Sequence, residues 1–128
     1  MKIANPTAKF GEDRACEYLE KVGFKILERN YRKTYGEIDI IAIDPTAHSA
    51  GSGQILAFIE VKTRTSDKFG SPLEAITYWK LRSLIKTAQY YKMSHRNLPE
   101  SLRIDAVSVI LNGNRVQSIE LTRNISGF

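Results

Sequence analysis

Glu60, Val61 and Lys62 follow an apolar run, Ile55-Leu56-Ala57-Phe58-Ile59, that otherwise reads as buried strand. A carboxylate and an amine in such a segment carry a desolvation cost that needs a reason. Side chains on a strand alternate faces, so Glu60 and Lys62 share one face about 7 Å apart, with Ile59 and Val61 on the other. Upstream, Gly36-Glu37-Ile38-Asp39-Ile40-Ile41 sets Glu37 and Asp39 on one face of a second apolar run. If the two strands are neighbours, Asp39, Glu60 and Lys62 meet. Two carboxylates can hold a divalent cation, and a lysine beside them can orient an attacking water and offset charge building up on phosphorus. That is the chemistry of phosphodiester hydrolysis. The plainer alternative is a solvated cross-strand ion pair, which Glu-x-Lys forms in many strands.

The elements that would position these groups can be read along the chain. Asn5-Pro6 reads as a cap followed by proline in the first turn, and Ala8, Ala15, Leu19 and Val22 recur at helical spacing, predicting a helix from about Pro6 to Val22. A strand is expected from Phe24 to about Tyr31, a turn at Lys33-Thr34-Tyr35-Gly36, and the acidic strand from Glu37 to Ile43. Asp44 to Gly53 is rich in breakers and small residues and reads as a hairpin loop before the strand Gln54 to Thr63. Ser71-Pro72-Leu73-Glu74 fits a capping box opening a short helical turn. A longer helix, about Thr77 to Ser94, carries Leu81, Leu84, Ile85, Ala88 and Tyr91 on one face. The apolar strand Ile104 to Leu111 then leads through the hairpin signal Asn112-Gly113 into Arg115 to Leu121. The order is α-β-β-β-α-β with one further strand.

A length of 128 residues suits one domain with a real core. Lys and Arg number 19 against 14 Asp and Glu, for a net charge of +5 and a pI near 9.4, which favours a polyanionic partner such as nucleic acid. Cys16 is the lone cysteine, so the sequence offers no internal disulfide and no cysteine set for zinc. A cytoplasmic setting is expected. With no apolar signal core and no run approaching the ~18 apolar residues of a span, neither secretion nor a membrane partner is expected.

Asp39 on the second strand and Glu60-Val61-Lys62 on the third, in this order of elements, resemble the core of the PD-(D/E)XK nuclease superfamily. More closely, the chain is similar to the YraN family of uncharacterised bacterial proteins, itself similar to archaeal Holliday junction resolvases. The matching segments are Glu12-Asp13-Arg14-Ala15 with Tyr18-Leu19, Arg29-Asn30-Tyr31-Arg32, Gly36 to Ile41, Phe58 to Arg64, Lys80 and Arg103-Ile104-Asp105, within about Ala8 to Leu121. The resemblance implies a restriction-endonuclease-like α/β core, αβββαβ, with a central mixed sheet flanked by helices, in a single domain. It implies Asp39 and Glu60 as metal ligands, Lys62 as the catalytic lysine and Glu12 as a helix-borne carboxylate facing the site. Hard oxygen ligands without a histidine or cysteine set favour Mg²⁺ or Mn²⁺. The activity implied is metal-dependent cleavage of DNA, branched DNA included, by a two-fold homodimer able to make paired cuts. Ala8 stands where relatives often have glycine, a departure that leaves the charged set intact.

Arg29, Arg32, Lys33, Arg64 and Lys68 flank the acidic strands and suit phosphate contact, with Tyr31 and Tyr35 as stacking partners, although each alone also reads as a solvated loop charge. Lys80 and Lys86 suit a similar role or cover apolar surface with their stems; only Lys80 gains from the resemblance. Glu37 is a secondary candidate at the strand start. His48 and His95 lack ligand spacing, and Arg103 with Asp105 reads as a structural ion pair. Two other functional classes stay open at this level: a nucleic-acid-binding module without turnover, and a scaffold for another protein.

Overall fold

The computed structural model describes residues 6–45, 53–65 and 76–127. Its elements are α1 (Pro6–Lys21), β1 (Lys25–Lys33), β2 (Gly36–Asp44), β3 (Ile55–Arg64), α2 (Tyr78–Ser94), β4 (Leu102–Asn112) and β5 (Arg115–Thr122). The proposed Asn5 cap, most of the loop after Asp44, Lys68 and the Ser71 capping box lie outside the described residues.

The five strands form one sheet in chain order, β1-β2-β3-β4-β5. Three pairings are antiparallel and β3–β4 is parallel. Parallel neighbours need a long crossover, and α2 lies in the segment that provides it. Ala15, Cys16 and Leu19 of α1 pack with Ile40, Ala57, Ile59, Val107 and Val109 on one sheet face. On the other, Leu84, Ala88 and Tyr91 of α2 pack with Ile41, Leu56, Phe58 and Ile104. A sheet covered on both faces explains why β3 and β4 read as nearly continuous apolar runs. The edge strands are polar instead: β1 shows Glu28, Arg29, Arg32 and Lys33 to solvent, which discourages edge-to-edge pairing.

Helix α1 buries Gly11, Ala15, Cys16 and Leu19, while Ala8 and Val22 are exposed, so the expected apolar stripe is shifted toward Gly11. Gly11 has a packing reason: a Cβ there would collide with the side chain of Thr63 on β3. Helix α2 begins one residue after Thr77, whose Oγ1 accepts a hydrogen bond from Lys80 N–H at 3.1 Å. The β4–β5 turn has Gly113 and Asn114 at its centre, with Gly113 at φ 63°, so the hairpin is displaced one residue from Asn112-Gly113. Among the described residues no helix is long and apolar enough to cross a membrane.

Candidate active site

The site exists because the sheet forks. The β2–β3 ladder runs from Asp44 opposite Ile55 to Ile40 opposite Ile59 and ends there. Strand β3 continues to Arg64 beside β4, and β2 continues back to Gly36 beside β1. At the fork Val61 N–H donates to Asp39 Oδ2 at 2.8 Å, so a side-chain carboxylate replaces the missing ladder partner. Strict alternation also breaks at Asp39: Ile38 packs in the α2-side core and Ile40 in the α1-side core. One bond thus satisfies a strand N–H that would otherwise be orphaned and fixes the Asp39 carboxylate beside Glu60.

Glu60 is only 6% exposed. Lys62 Nζ stands 3.7 Å from its Oε1 and Lys80 Nζ 3.8 Å from its Oε2. Both contacts are longer than a good hydrogen bond, so the amines offset the charge without locking the carboxylate. Burial, reinforced by the charge of Asp39 and opposed by Lys80 and Lys62, pushes Glu60 up to about 7. Burial likewise raises Asp39, against the stabilising bond from Val61, with the charges of Glu12 and Glu37 adding to the rise. Desolvation plus a like-charged neighbour raises carboxylates in this way both at working sites and in structural ion-pair networks.

Among the described residues no group of three or more His, Cys, Asp or Glu converges on a metal position. Asp39 and Glu60 present two carboxylates. Mg²⁺ commonly binds through one or two carboxylates, filling the rest of its shell with water and substrate phosphate, so Asp39 and Glu60 fit a hard divalent ion. A cation would also remove the cost of holding two buried anions side by side.

The other candidates fall into two groups. Glu12 of α1 is largely buried and accepts from Arg29 Nη2 at 3.2 Å, and its charge reaches Asp39. Arg29 also donates to Asp13 at 2.7 Å, so its guanidinium is committed to two α1 carboxylates. Arg32 pairs with Glu37 at 3.7 Å on the rim. Lys33 Nζ lies 5.3 Å from the ring of Tyr31. Arg64 ends β3, on the face of Glu60 and Lys62 by alternation. Tyr31 and Tyr35 do not serve as free stacking surfaces. Tyr31 is buried edge-on against Tyr91, its hydroxyl lies 3.0 Å from that of Tyr35, and the ring of Tyr35 packs on Tyr90.

Two features of the site escaped the reading of single motifs. Lys80 contacts Glu60 directly, linking α2 to the acidic pair. Ala106 and Ser108, register partners of Glu60 and Lys62 on β4, share their face and give the site a floor of small side chains. Their signal was an i, i+2 pair of small residues inside an otherwise bulky apolar strand. Arg103 and Asp105 lie on the opposite face of the sheet from Glu60, the side of Ala57, Ile59 and Val107, as a structural pair can. Arg103 donates twice to Asp105 at 2.7 Å and once to Asp44 at 2.8 Å, while Asn124 N–H donates to Asp105 at 2.9 Å.

Fold and site together define a mixed α/β protein whose five-stranded sheet, flanked by two helices, forks around an acidic pair, Glu60 buried and Asp39 half-buried, attended by two lysines. The chain belongs to the Uncharacterised protein family UPF0102, the YraN-like family, whose model matches residues 11–109. Relatives named UPF0102 protein include one from Caldicellulosiruptor saccharolyticus, 43% identical over 115 residues that cover 89% of this chain and 91% of the relative. One from Persephonella marina is 42% identical over 104 residues, 81% of this chain and 83% of the relative. One from Clostridium botulinum is 44% identical over 119 residues, 90% and 89% respectively.

Proposed function

We propose that this chain is a divalent-metal-dependent endonuclease of restriction-endonuclease-like fold that hydrolyses phosphodiester bonds of DNA, branched DNA included. The observation that carries the reading is the fork: Asp39, held by Val61 N–H, lies beside a Glu60 whose ionisation is pushed to about 7 and which Lys62 attends at 3.7 Å. Asp39 and Glu60 would hold Mg²⁺ or Mn²⁺, which when bound offsets phosphate charge and lowers the pKa of water. Asp39 keeps one oxygen on Val61 N–H and so holds its carboxylate plane as substrate arrives. Lys62 positions the attacking water and counters the charge developing on the phosphoryl oxygens. Lys80, on the other oxygen of Glu60, favours its ionised form against burial. Arg32, Lys33 and Arg64 supply phosphate contacts around the cleft, and a two-fold dimer would give the two cuts a junction requires.

One observation favours a second reading, a nucleic-acid-binding module that retains the fold without turnover. Lys62 and Lys80 both face the Glu60 carboxylate at ion-pair distance, a cluster that strands also form for structure alone. Incubating the purified chain with linear, flapped and four-way DNA under Mg²⁺ or Mn²⁺ separates the readings. Cleavage lost in Asp39→Asn supports the enzyme. Binding of DNA with no cleavage under any divalent metal supports the module.

A further inference from the structure

Helix α2 carries four cations, Lys80, Arg82, Lys86 and Lys92, and no carboxylate. At its first turn Tyr78 and Trp79 stand 63% and 78% exposed, an arrangement that burial does not explain. Their rings meet edge to face at 5.2 Å, and the guanidinium of Arg82 lies 5.9 Å from the Tyr78 ring. Helical spacing continues this stripe from Tyr78 through Arg82 to Lys86, about 12 Å along the axis. Beside it, Tyr35, Arg82, Ser83, Lys86 and Gln89 line a groove of about 580 Å³. One residue from Trp79, Lys80 contacts Glu60.

We propose that this stripe is a track for an unpaired nucleic-acid strand, with Arg82 and Lys86 taking phosphates and Trp79, backed by Tyr78, stacking on one base. The proposal rests on the hydrolytic reading and names its substrate class: nucleic acid with an unpaired segment next to the bond that is cut. Charge selects a polyanion, because a helix with four cations and no carboxylate repels basic partners and attracts phosphates. Geometry selects an unpaired strand, because an exposed indole stacks only on a base whose face is free. Lys80 ties the first turn of this helix to the acidic pair, so the track begins one residue in sequence from a side chain of the site.

The chain's single tryptophan makes the test spectroscopic, because intrinsic indole emission reports Trp79 alone. The full chain, in chelator so that no strand is cut, is titrated with a thymidine oligonucleotide and with a blunt duplex of equal length. Stacking predicts saturable quenching by the single strand and none by the duplex. By anisotropy of a labelled single strand, Trp79→Ala should weaken binding roughly 5- to 100-fold and Trp79→Phe should keep most of it, with duplex binding unchanged in both. Arg82→Ala with Lys86→Ala should weaken both ligands and flatten the salt dependence. Single-strand binding with unaltered emission and undiminished affinity in Trp79→Ala overturns the track and leaves the hydrolytic reading in place. Trp79→Ala that alters sedimentation but not single-strand affinity also overturns it, making the patch a contact between copies. Undiminished quenching in a Lys62→Ala protein that no longer cleaves supports the track independently of turnover, whereas no binding to any nucleic acid overturns both.

Discussion

Replacing Glu60 by glutamine keeps the shape of the side chain and removes its ability to ionise, so the variant imitates the protonated acid at every pH. In the folded chain Glu60 titrates near 7 rather than at its ordinary 4.5, burial being the main cause. A carboxyl group whose folded value is raised favours folding most where it is protonated in both states, below about 4.5. Its contribution declines as pH climbs from there to about 7, because the unfolded chain has released its proton while the folded one still holds it. At about 1.4 kcal/mol for each tenfold change in proton affinity, the full effect above pH 7 is roughly 3 kcal/mol. Glu60→Gln should therefore be more stable than wild type by roughly 3 kcal/mol at pH 8 and nearly equal to it at pH 4.5. For a chain of this length the pH 8 difference is about 10 °C in Tm. Urea unfolding of both proteins at the two pH values measures it. Adding Mn²⁺ should close the gap, since an ion at 100 times its Kd stabilises wild type by about 2.7 kcal/mol and the variant by much less. A Glu60→Gln protein less stable than wild type at pH 8, or one whose advantage is the same at both pH values, would refute the reasoning.

Further outcomes follow from other parts of the structure. Asp105→Ala should cost about 3–5 kcal/mol, because it leaves Arg103 buried beside Asp44 and takes the acceptor from Asn124 N–H; chemical denaturation reads this directly. Gly11→Val should cost about 1–3 kcal/mol by forcing α1 away from Thr63, and should shift Asp39 and its neighbours by NMR. Lys62→Ala should bind DNA and Mn²⁺ about as well as wild type, measured by anisotropy and calorimetry, since the lysine acts mainly as the transition state forms.

Much of the frame was legible because its signals are local. Alternation placed Asp39 and Glu60 on strands, the i, i+3, i+4 pattern of Leu81, Leu84, Ile85 and Ala88 gave α2, and the β4–β5 hairpin sat within one residue of its Gly113 signal. What stayed hidden depends on which elements touch. Nothing in the β2 sequence shows that its ladder ends at Ile40, so the bond from Val61 to Asp39 and the face switch between Ile38 and Ile40 could not be read. Lys80 read as a phosphate contact or a stem over apolar surface, and its approach to Glu60 depends on where the crossover lays α2, while Arg103 reaches Asp44 across 59 residues of chain. Tyr31 and Tyr35 looked available for bases because strand and turn aromatics often are exposed, but Tyr90 and Tyr91 of α2 cover them. Among the described residues, the aromatics that remain exposed are on the helix itself.

The central claim, that the acidic pair at the fork hydrolyses phosphodiesters with Lys62, meets its most direct test in single-turnover cleavage of a four-way DNA junction by excess enzyme in Mn²⁺, comparing wild type with Lys62→Ala and Asp39→Asn. The account predicts cleavage by wild type, loss of at least 100-fold in rate for each variant at about the scale of a general catalytic group, and junction binding retained in both. Wild type that binds the junction without cutting it, or variants that cut as fast as wild type, would contradict it.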